Sequence, residues 1–315
     1  TNGGRGGFCP RRTVLDKILV DGAVQSGAEL REDVTVEALV WDDDRDVGVK
    51  GRTRAGGAFE GRGKIVIGAD GVHSFVAKAV GAQEYDTRPP LATYYYSYYS
   101  GFAIQDIEQY VGVPYQGAAC FPTHDGLTLI AAVWPSSRFQ EIRADIEEHV
   151  KQVHESTPTV QDRLRSATRE DKWVGTAGVP NYFRVPYGPG WALVGDAGYN
   201  KDPITAQGIS DAFIDAENLT EAIDAGFSER RSLASAMAQY TSSRDQRVKP
   251  LYDFTCDLAK LEPPPPEMQQ LFAALHGNQE ATNQFYSALT GSLPLPAFMN
   301  PENIGRIMAT AAAGS

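Results

Sequence analysis

The sequence predicts an α/β protein with an α+β insert: a parallel, doubly covered sheet cut in two by a β-rich segment, followed by a helical C-terminal region. Three observations carry this. The runs KIVIGADG and WALVGDA are short, unbroken and apolar, as strands buried on both faces are, and each stops at glycine beside aspartate. Between them, LATYYYSYYSGF and GLTLIAAVWP are aromatic and β-branched with turn signals around them, the pattern of an antiparallel sheet. Beyond residue 208 apolar residues recur at helical spacing, with a proline stop at Pro263 to Pro266. The expected organisation is a discontinuous domain of residues 1–88 and 174–225, a β-rich domain of 89–173 and a helical region of 226–315.

In chain order, Val14, Leu15, Ile18, Leu19 and Ala23 share one helical stripe, which predicts an amphipathic helix over 12–27. DVTVEALVW and VGVKGRTR read as a hairpin about DDDRD, a solvated turn that lacks the glycine and distal glutamate of a calcium loop. Residues 74–80 read as helix. In RFQEIRADIEEHVKQVHE, Phe139, Ile142, Ile146, Val150 and Val153 predict one helix packed on the insert sheet, with His149 and His154 in solvent. Ile209, Ala212, Phe213, Ala216, Leu219 and Ile223 form the expected buried stripe of a helix over 208–225, and another helix spans about 229–262. The tail from Glu267 is compatible with helix, and no internal repeat is present.

The 315 residues can bury a sizeable core, and 42% hydrophobic with 22% charged residues is ordinary for a globular protein. A net charge of −11 argues against nucleic-acid binding, which depends on clustered Lys and Arg. Cys9, Cys120 and Cys256 are scattered and odd in number, so neither a disulfide framework nor a metal site is expected, and a reducing cytoplasm is the expected setting. No apolar run reaches membrane-spanning length, so no membrane partner is expected. The chain starts at Thr1 within TNGGRGGFCP, which suggests an upstream segment.

The chemistry is concentrated at the two strand ends. Ligands of open α/β sheets sit beyond the carboxyl ends of the strands, where Asp70 and Asp196 fall. An ionised aspartate only accepts hydrogen bonds and so suits a ligand that offers hydroxyls, while Gly71 and Gly195 let backbone approach it. Either aspartate could instead close a turn or cap a helix. After Asp196, Pro203 stiffens a loop and Gln207-Gly208 opens a helix whose N-terminus, with roughly half a positive charge, could meet an anion or a flat ring. Tyr94, Tyr96 and Tyr98 share one face of a strand and Tyr95 and Tyr99 the other; the Tyr94, Tyr96 and Tyr98 face is the candidate wall of a substrate pocket, and the alternative is core packing. Ser210 in GISDA is no nucleophile elbow, because KDPITAQ and not a strand precedes it. His149 and His154 lack the HExxH spacing of a metal site.

Three of these stretches together resemble the FAD-dependent aromatic hydroxylases of the para-hydroxybenzoate hydroxylase type. GADGVHS resembles their Asp-Gly motif and GDAGYNKDPITAQG their Gly-Asp motif; RRTVLDKIL resembles the helix whose arginine contacts the cofactor, which matches Arg12. Order and spacing agree over most of residues 11 to 260. The resemblance implies a Rossmann-like FAD-binding domain without its N-terminal βαβ unit, and a substrate domain in the insert. It also implies that Asp196, with Gly195, holds ribityl or ribose hydroxyls and that Pro203 lies near the isoalloxazine. Gln207 and the N–H groups of Gly208 and Ile209 would face its N1/C2 edge, while Asp70 and Gly71 would serve cofactor and nicotinamide donor. The implied reaction is oxygen transfer from O2 to an aromatic or other hydrophobic small molecule, driven by NAD(P)H through FAD. A flavin-dependent reductase or halogenase, or a fragment lacking half of the cofactor site, are the alternatives; the WxWxIP signature of tryptophan halogenases is absent. The sequence departs from the family pattern in four ways. It has no GxGxxG, and GGRGGF has the wrong spacing for one. Ala77, next to Lys78, stands in place of an arginine. Tyr199 and Asn200 stand where a histidine is common, and Ala206 replaces a glycine.

Overall fold

The first described element is a helix, α1 (Arg12–Gln25), entered from an extended Arg11. It begins and ends close to the expected positions, but its apolar stripe finds no core. None of its residues is buried, and Ile18 is 62% exposed. Ion pairs one turn apart, Arg12–Asp16 at 2.7 Å and Lys17–Asp21 at 2.8 Å, support it locally. The computed structural model describes residues 7–110 and 115–313, so the glycine-rich start up to Gly6 lies outside the described residues.

The antiparallel strands β1 (Val34–Asp42), β2 (Arg45–Thr53) and β3 (Ala58–Arg62) form a meander. Asp42 pairs with Arg45, so the acidic turn is a two-residue hairpin loop with Asp43 at φ 51. Next come β4 (Val66–Gly68), the short helix α2 (Phe75–Ala79) and β5 (Glu84–Arg88).

The insert then builds its own sheet from β6 (Ala92–Ser100), β7 (Glu108–Tyr110), β8 (Gly117–Pro122) and β9 (Thr128–Pro135). Three helices follow, α3 (Phe139–Ala144), α4 (Ile146–Glu155) and α5 (Pro158–Leu164), and then the edge strands β10 (Thr168–Arg169) and β11 (Val174–Thr176). The antiparallel order is β10-β6-β9-β8-β7, with β11 also on β6. The single helix expected over this region is broken. Asp145 leaves helical space at φ −149, ψ 78, and its carboxylate accepts the Glu148 N–H at 3.2 Å as the cap of α4. Ile142, Val150 and Val153 still bury against Tyr95 and Trp134, so the periodicity survives the break. His154 is corrected as well. It is buried on α4, where burial pushes its imidazole down to about 4 and its Nε2 has no hydrogen-bond partner. The His149 ring, by contrast, bonds the Asp145 carbonyl at 2.7 Å and Glu141 at 3.2 Å.

After the insert come β12 (Asn181–Arg184), β13 (Tyr187–Gly188), β14 (Trp191–Leu193) and β15 (Tyr199–Asn200). The two apolar runs meet as expected: β4 and β14 pair in parallel, Val66 against Trp191 and Gly68 against Leu193. β14 is buried throughout, whereas Ile67 of β4 is 45% exposed, so only one of the two strands is covered on both faces. At Gly68 a Cβ would come within 2.8 Å of Leu193 Cδ2 and Val76 Cβ, so no side chain fits between sheet and helix.

The long helices α6 (Gly208–Phe227) and α7 (Leu233–Leu258) pack on β14 through Ala192, Leu219, Ala222, Ala236, Met237 and Tyr240. The buried side of α6 is not the expected stripe. Asp211, Asp215, Leu219 and Ala222 face inward, while Ile209 and Phe213 are exposed. α7 ends before the proline run, and α8 (Pro266–Leu275) starts on its last proline, where a missing N–H costs nothing. With α9 (Gln279–Leu289), α10 (Leu295–Phe298) and α11 (Pro301–Ala313) it buries Leu271, Leu275, Phe298 and Ile307 against Leu251 of α7. Among the described residues no helix is long and apolar enough to cross a membrane.

Candidate cofactor site

The parallel pairing sends the chain after β4 and the chain after β14 out of the same sheet edge, so Asp70 and Asp196 follow neighbouring strands. They do different work. Asp70 is a cap: Oδ1 accepts from Ser74 Oγ at 2.5 Å and Oδ2 from the Val76 N–H at 3.0 Å, while Ser74 Oγ accepts from the Ala77 N–H at 2.9 Å. Gly71, at φ 76, provides the left-handed turn between Asp70 and α2.

Asp196 has no such partner. Among the described residues its carboxylate makes neither hydrogen bond nor ion pair. Desolvation by the surrounding crevice raises its pKa above the ordinary carboxylate range, against the opposing pull of Arg12 and Lys201. The backbone around it is fixed. Tyr182 Oη donates to the Asp196 carbonyl at 2.7 Å, Arg184 Nη1 to the Ala197 carbonyl at 2.9 Å and Arg244 Nη1 to the Gly198 carbonyl at 3.1 Å. Gly195, at φ 58, lets the turn approach α6, where a Cβ placed on it would lie 3.3 Å from that of Ala212. A desolvated, unpaired acceptor on a rigid turn is poised to receive hydroxyl donors.

The segment that follows presents backbone donors. Asp202 caps the turn Pro203–Thr205 by accepting the Ile204 N–H at 3.1 Å. Ala206 adopts φ 54, the left-handed conformation that glycine takes freely, which accounts for the glycine of the related pattern at this position. Gln207 is buried, and its Nε2 donates to the Thr205 carbonyl at 3.2 Å. α6 then opens with Gly208 and Ile209 exposed and nothing within 4 Å of a Cβ placed at Gly208. The first N–H groups of this 20-residue helix have no acceptor within the helix, and they lie at an exposed terminus with room beside Gly208. Arg12 sits on exposed α1, bonded to Asp16 and electrostatically coupled to Asp196.

The tyrosine strand divides as its alternation requires. Tyr95 and Tyr99 enter the insert core, while Tyr94, Tyr96 and Tyr98 lie half-buried on the opposite face. Tyr94 Oη donates to Asp202, Tyr96 meets Tyr98 edge-on at 6.0 Å, and the Arg11 guanidinium stacks 4.6 Å over Tyr98. Of the candidate face, Tyr94 is the residue tied to the turn that carries Pro203.

Sequence reasoning missed a buried charge cluster beneath that turn. Lys201 Nζ bonds Asp211 and, at 2.8 Å, Tyr199 Oη; Arg247 reaches Asp211 at 2.9 Å and Asp215 at 2.7 Å. Burial pulls the Lys201 ammonium below its ordinary range, with Asp211 opposing, and holds Asp215 up to about 6 despite Arg247. The available signal was the spacing of Asp211 and Asp215, two acids one turn apart on a helix otherwise assigned an apolar buried stripe. The three cysteines are free thiols, and no acidic, His or Cys cluster suited to a metal occurs among the described residues.

Comparison with known proteins places this geometry in a family. Residues 9–255 match the family described as FAD binding domain. The chain is 27% identical over 234 residues to a digeranylgeranylglycerophospholipid reductase of Methanosarcina acetivorans, covering 71% of this chain and 56% of that protein. It is 26% identical over 302 residues to a probable NADH-specific resorcinol 4-hydroxylase of Rhodococcus jostii, covering 89% and 52%. The chain thus spans about half the length of these curated relatives. The myxobacterial chondrochloren halogenase CndH shares its fold, with TM-score 0.74 at 18% identity over 98% of this chain and 75% of that one. The family match covers more than half of the sequence, and the chain belongs to the FAD-binding family of para-hydroxybenzoate hydroxylase-like oxidoreductases, whose members are FAD-dependent enzymes.

Proposed function

We propose that this chain works in an NAD(P)H- and O2-using FAD monooxygenase that hydroxylates an aromatic or other hydrophobic small molecule. The observation that carries the FAD part of this reading is Asp196: desolvated, unpaired, and held on a turn whose backbone is fixed by Tyr182, Arg184 and Arg244. Its carboxylate accepts from ribityl or ribose hydroxyls, and Arg12 offsets the charge nearby. Pro203 would lie beside the ring, and the N–H groups of Gly208 and Ile209 would stabilise negative charge at its edge through the α6 terminus. Asp70 and Gly71 shape the neighbouring loop, against which the nicotinamide donor docks. When bound, FAD supplies the redox and oxygen-transfer chemistry.

Support for the substrate side comes from the half-buried Tyr94, Tyr96 and Tyr98 face, an apolar and π-rich wall tied at Tyr94 to the turn that carries Pro203. The resorcinol hydroxylase relative, which matches 89% of this chain, favours hydroxylation of an aromatic ring. Free thiols at Cys9, Cys120 and Cys256 suit a reducing cytoplasm. A second reading, reduction of an unsaturated apolar substrate, is favoured by the similarity to the digeranylgeranylglycerophospholipid reductase. The discriminating measurement is NAD(P)H oxidation by FAD-loaded protein, with and without O2, against a panel of phenols and prenyl lipids. Hydroxylated product that requires O2 supports the monooxygenase. Saturated product formed without O2 replaces it with the reductase.

A further inference from the structure

Lys201 and Asp202 are consecutive and buried, and they reach in opposite directions. Lys201 joins α6 through Asp211. Asp202 reaches the insert: one oxygen accepts from Tyr94 Oη on β6 as well as from the Ile204 N–H at 3.1 Å. The rest of the turn is tied elsewhere. The Asp202 N–H donates to Asn181 Oδ1 at 2.7 Å on β12, and Thr205 Oγ1 bonds Thr255 Oγ1 at 2.9 Å on α7. Asp202 is 1% exposed, and its second oxygen, Oδ2, has no hydrogen-bond partner.

That arrangement is expensive for a simple cap. A serine or asparagine would accept the Ile204 N–H without burying a charge. What the carboxylate adds is a strong acceptor within reach of Tyr94, across the seam between the insert and the cofactor-facing turn. We propose that Asp202 and Tyr94 form one positioning unit that registers the tyrosine face of the insert against the Pro203 turn. The substrate-facing sheet and the turn then hold a fixed separation. The importance of that separation rests on the function proposed above; the linkage itself does not.

The titratable groups near Asp202 are Tyr94 from β6 and Cys256 from α7. Burial and the Asp202 charge keep the Tyr94 phenol protonated far above its ordinary range, and burial pushes the Cys256 thiol up to about 11, so both are neutral at physiological pH. Asp202 itself is pushed by burial up to about 6, with Tyr94 and the backbone N–H groups of Ile204 and Ala92 opposing. Above that pH the ionised carboxylate holds the Tyr94 phenol and the Ile204 N–H. Below it the carboxyl is neutral and Oδ1 becomes a weaker acceptor for both.

The test uses the full chain without added FAD. Hydrogen exchange of residues 202–206 is followed from pH 5 to 8, corrected for intrinsic rates, together with a carbon NMR titration of the Asp202 carboxyl. In the wild type, protection of the Ile204 amide falls as pH drops through about 6. Tyr94→Phe is expected to speed exchange of this turn by roughly tenfold and to move the Asp202 titration upward, because a donor to the charged form is gone. Amides of β9 serve as the control for an intact insert. Asp202→Ser keeps the cap but cannot reach Tyr94, and is expected to loosen the turn and abolish its pH dependence. Unchanged exchange and an unshifted titration in Tyr94→Phe overturn the proposal, as does a turn that still follows pH in Asp202→Ser. A wild type that fails to bind FAD ends the cofactor reading and leaves this experiment intact.

Discussion

Asp196 and Asp70 end nearly identical strand motifs, so substituting each by alanine separates a ligand contact from a structural cap. Asp196→Ala removes an acceptor with no protein partner. The fold loses no hydrogen bond, and a desolvated charge disappears, so the apo protein should unfold at the same denaturant concentration or slightly higher. FAD binding should suffer instead. One charge-assisted hydrogen bond to a hydroxyl contributes about 1.5–3 kcal/mol, so Kd for FAD should rise about 10- to 150-fold. Asp70→Ala has the reverse signature. It strips the Val76 N–H and Ser74 Oγ of their acceptor, at about 0.5–2 kcal/mol of fold stability, with a smaller effect on Kd once the folded fraction is accounted for. Flavin fluorescence quenching gives Kd, and urea unfolding followed by far-UV circular dichroism gives stability. Equal FAD affinity for Asp196→Ala and wild type refutes the assigned role. So does an apo Asp196→Ala protein destabilised as much as Asp70→Ala. The raised pKa adds a sign: protonation of Asp196 removes an acceptor lone pair, so FAD affinity should weaken as pH falls through that raised value.

Other outcomes follow from single sites. His154 is held neutral down to about 4, while an unfolded histidine titrates near 6.5; the unfolded chain gains the proton first, so stability is lost as pH falls from 6.5 toward 4. His154→Leu should remove about 2–3 kcal/mol of that acid sensitivity, read as the difference in urea midpoints between pH 7 and pH 4.5. Asp202 and Asp215, both raised to about 6, act with the opposite sign, because the native state takes up their protons first as pH falls through 6. Gly68→Ala drives a methyl against Leu193 and Val76 and should cost about 1–3 kcal/mol, measured by thermal unfolding. Lys201→Met leaves Asp211 with Arg247 alone and should cost about 3–5 kcal/mol, whereas adding Asp211→Leu should restore much of the loss.

Much of this architecture could be read from the sequence because two strands declared themselves as unbroken apolar runs and turned out to be parallel neighbours. What escaped was information held by partners distant in sequence. The Ile142, Ile146, Val150 series runs straight through the break at Asp145, since a capping aspartate interrupts the backbone without disturbing the apolar period. The stripes on α1 and α6 reported helical period correctly and burial incorrectly: α1 packs on no core, and α6 turns Asp211 and Asp215 inward toward Lys201 and Arg247. His154 looked like a surface residue because its burial depends on the sheet beneath α4. At the site, Asp70 and Asp196 were equivalent in one dimension. Only Ser74, four residues after Asp70, marked one of them as a helix cap.

The parallel pairing of β4 with β14 also has a kinetic meaning. Val66 meets Trp191 only after the chain has closed a loop containing the entire insert, whereas the pairings inside the insert close shorter loops, from the β8–β9 hairpin to β6 with β9. Loop-closure entropy grows with the length of unstructured chain, so collapse of the insert first shortens the effective loop and brings the two strand ends together. The insert should thus act as an early nucleus, and the sheet edge that carries Asp196 should be among the last parts to assemble and the first to open in native-state fluctuations.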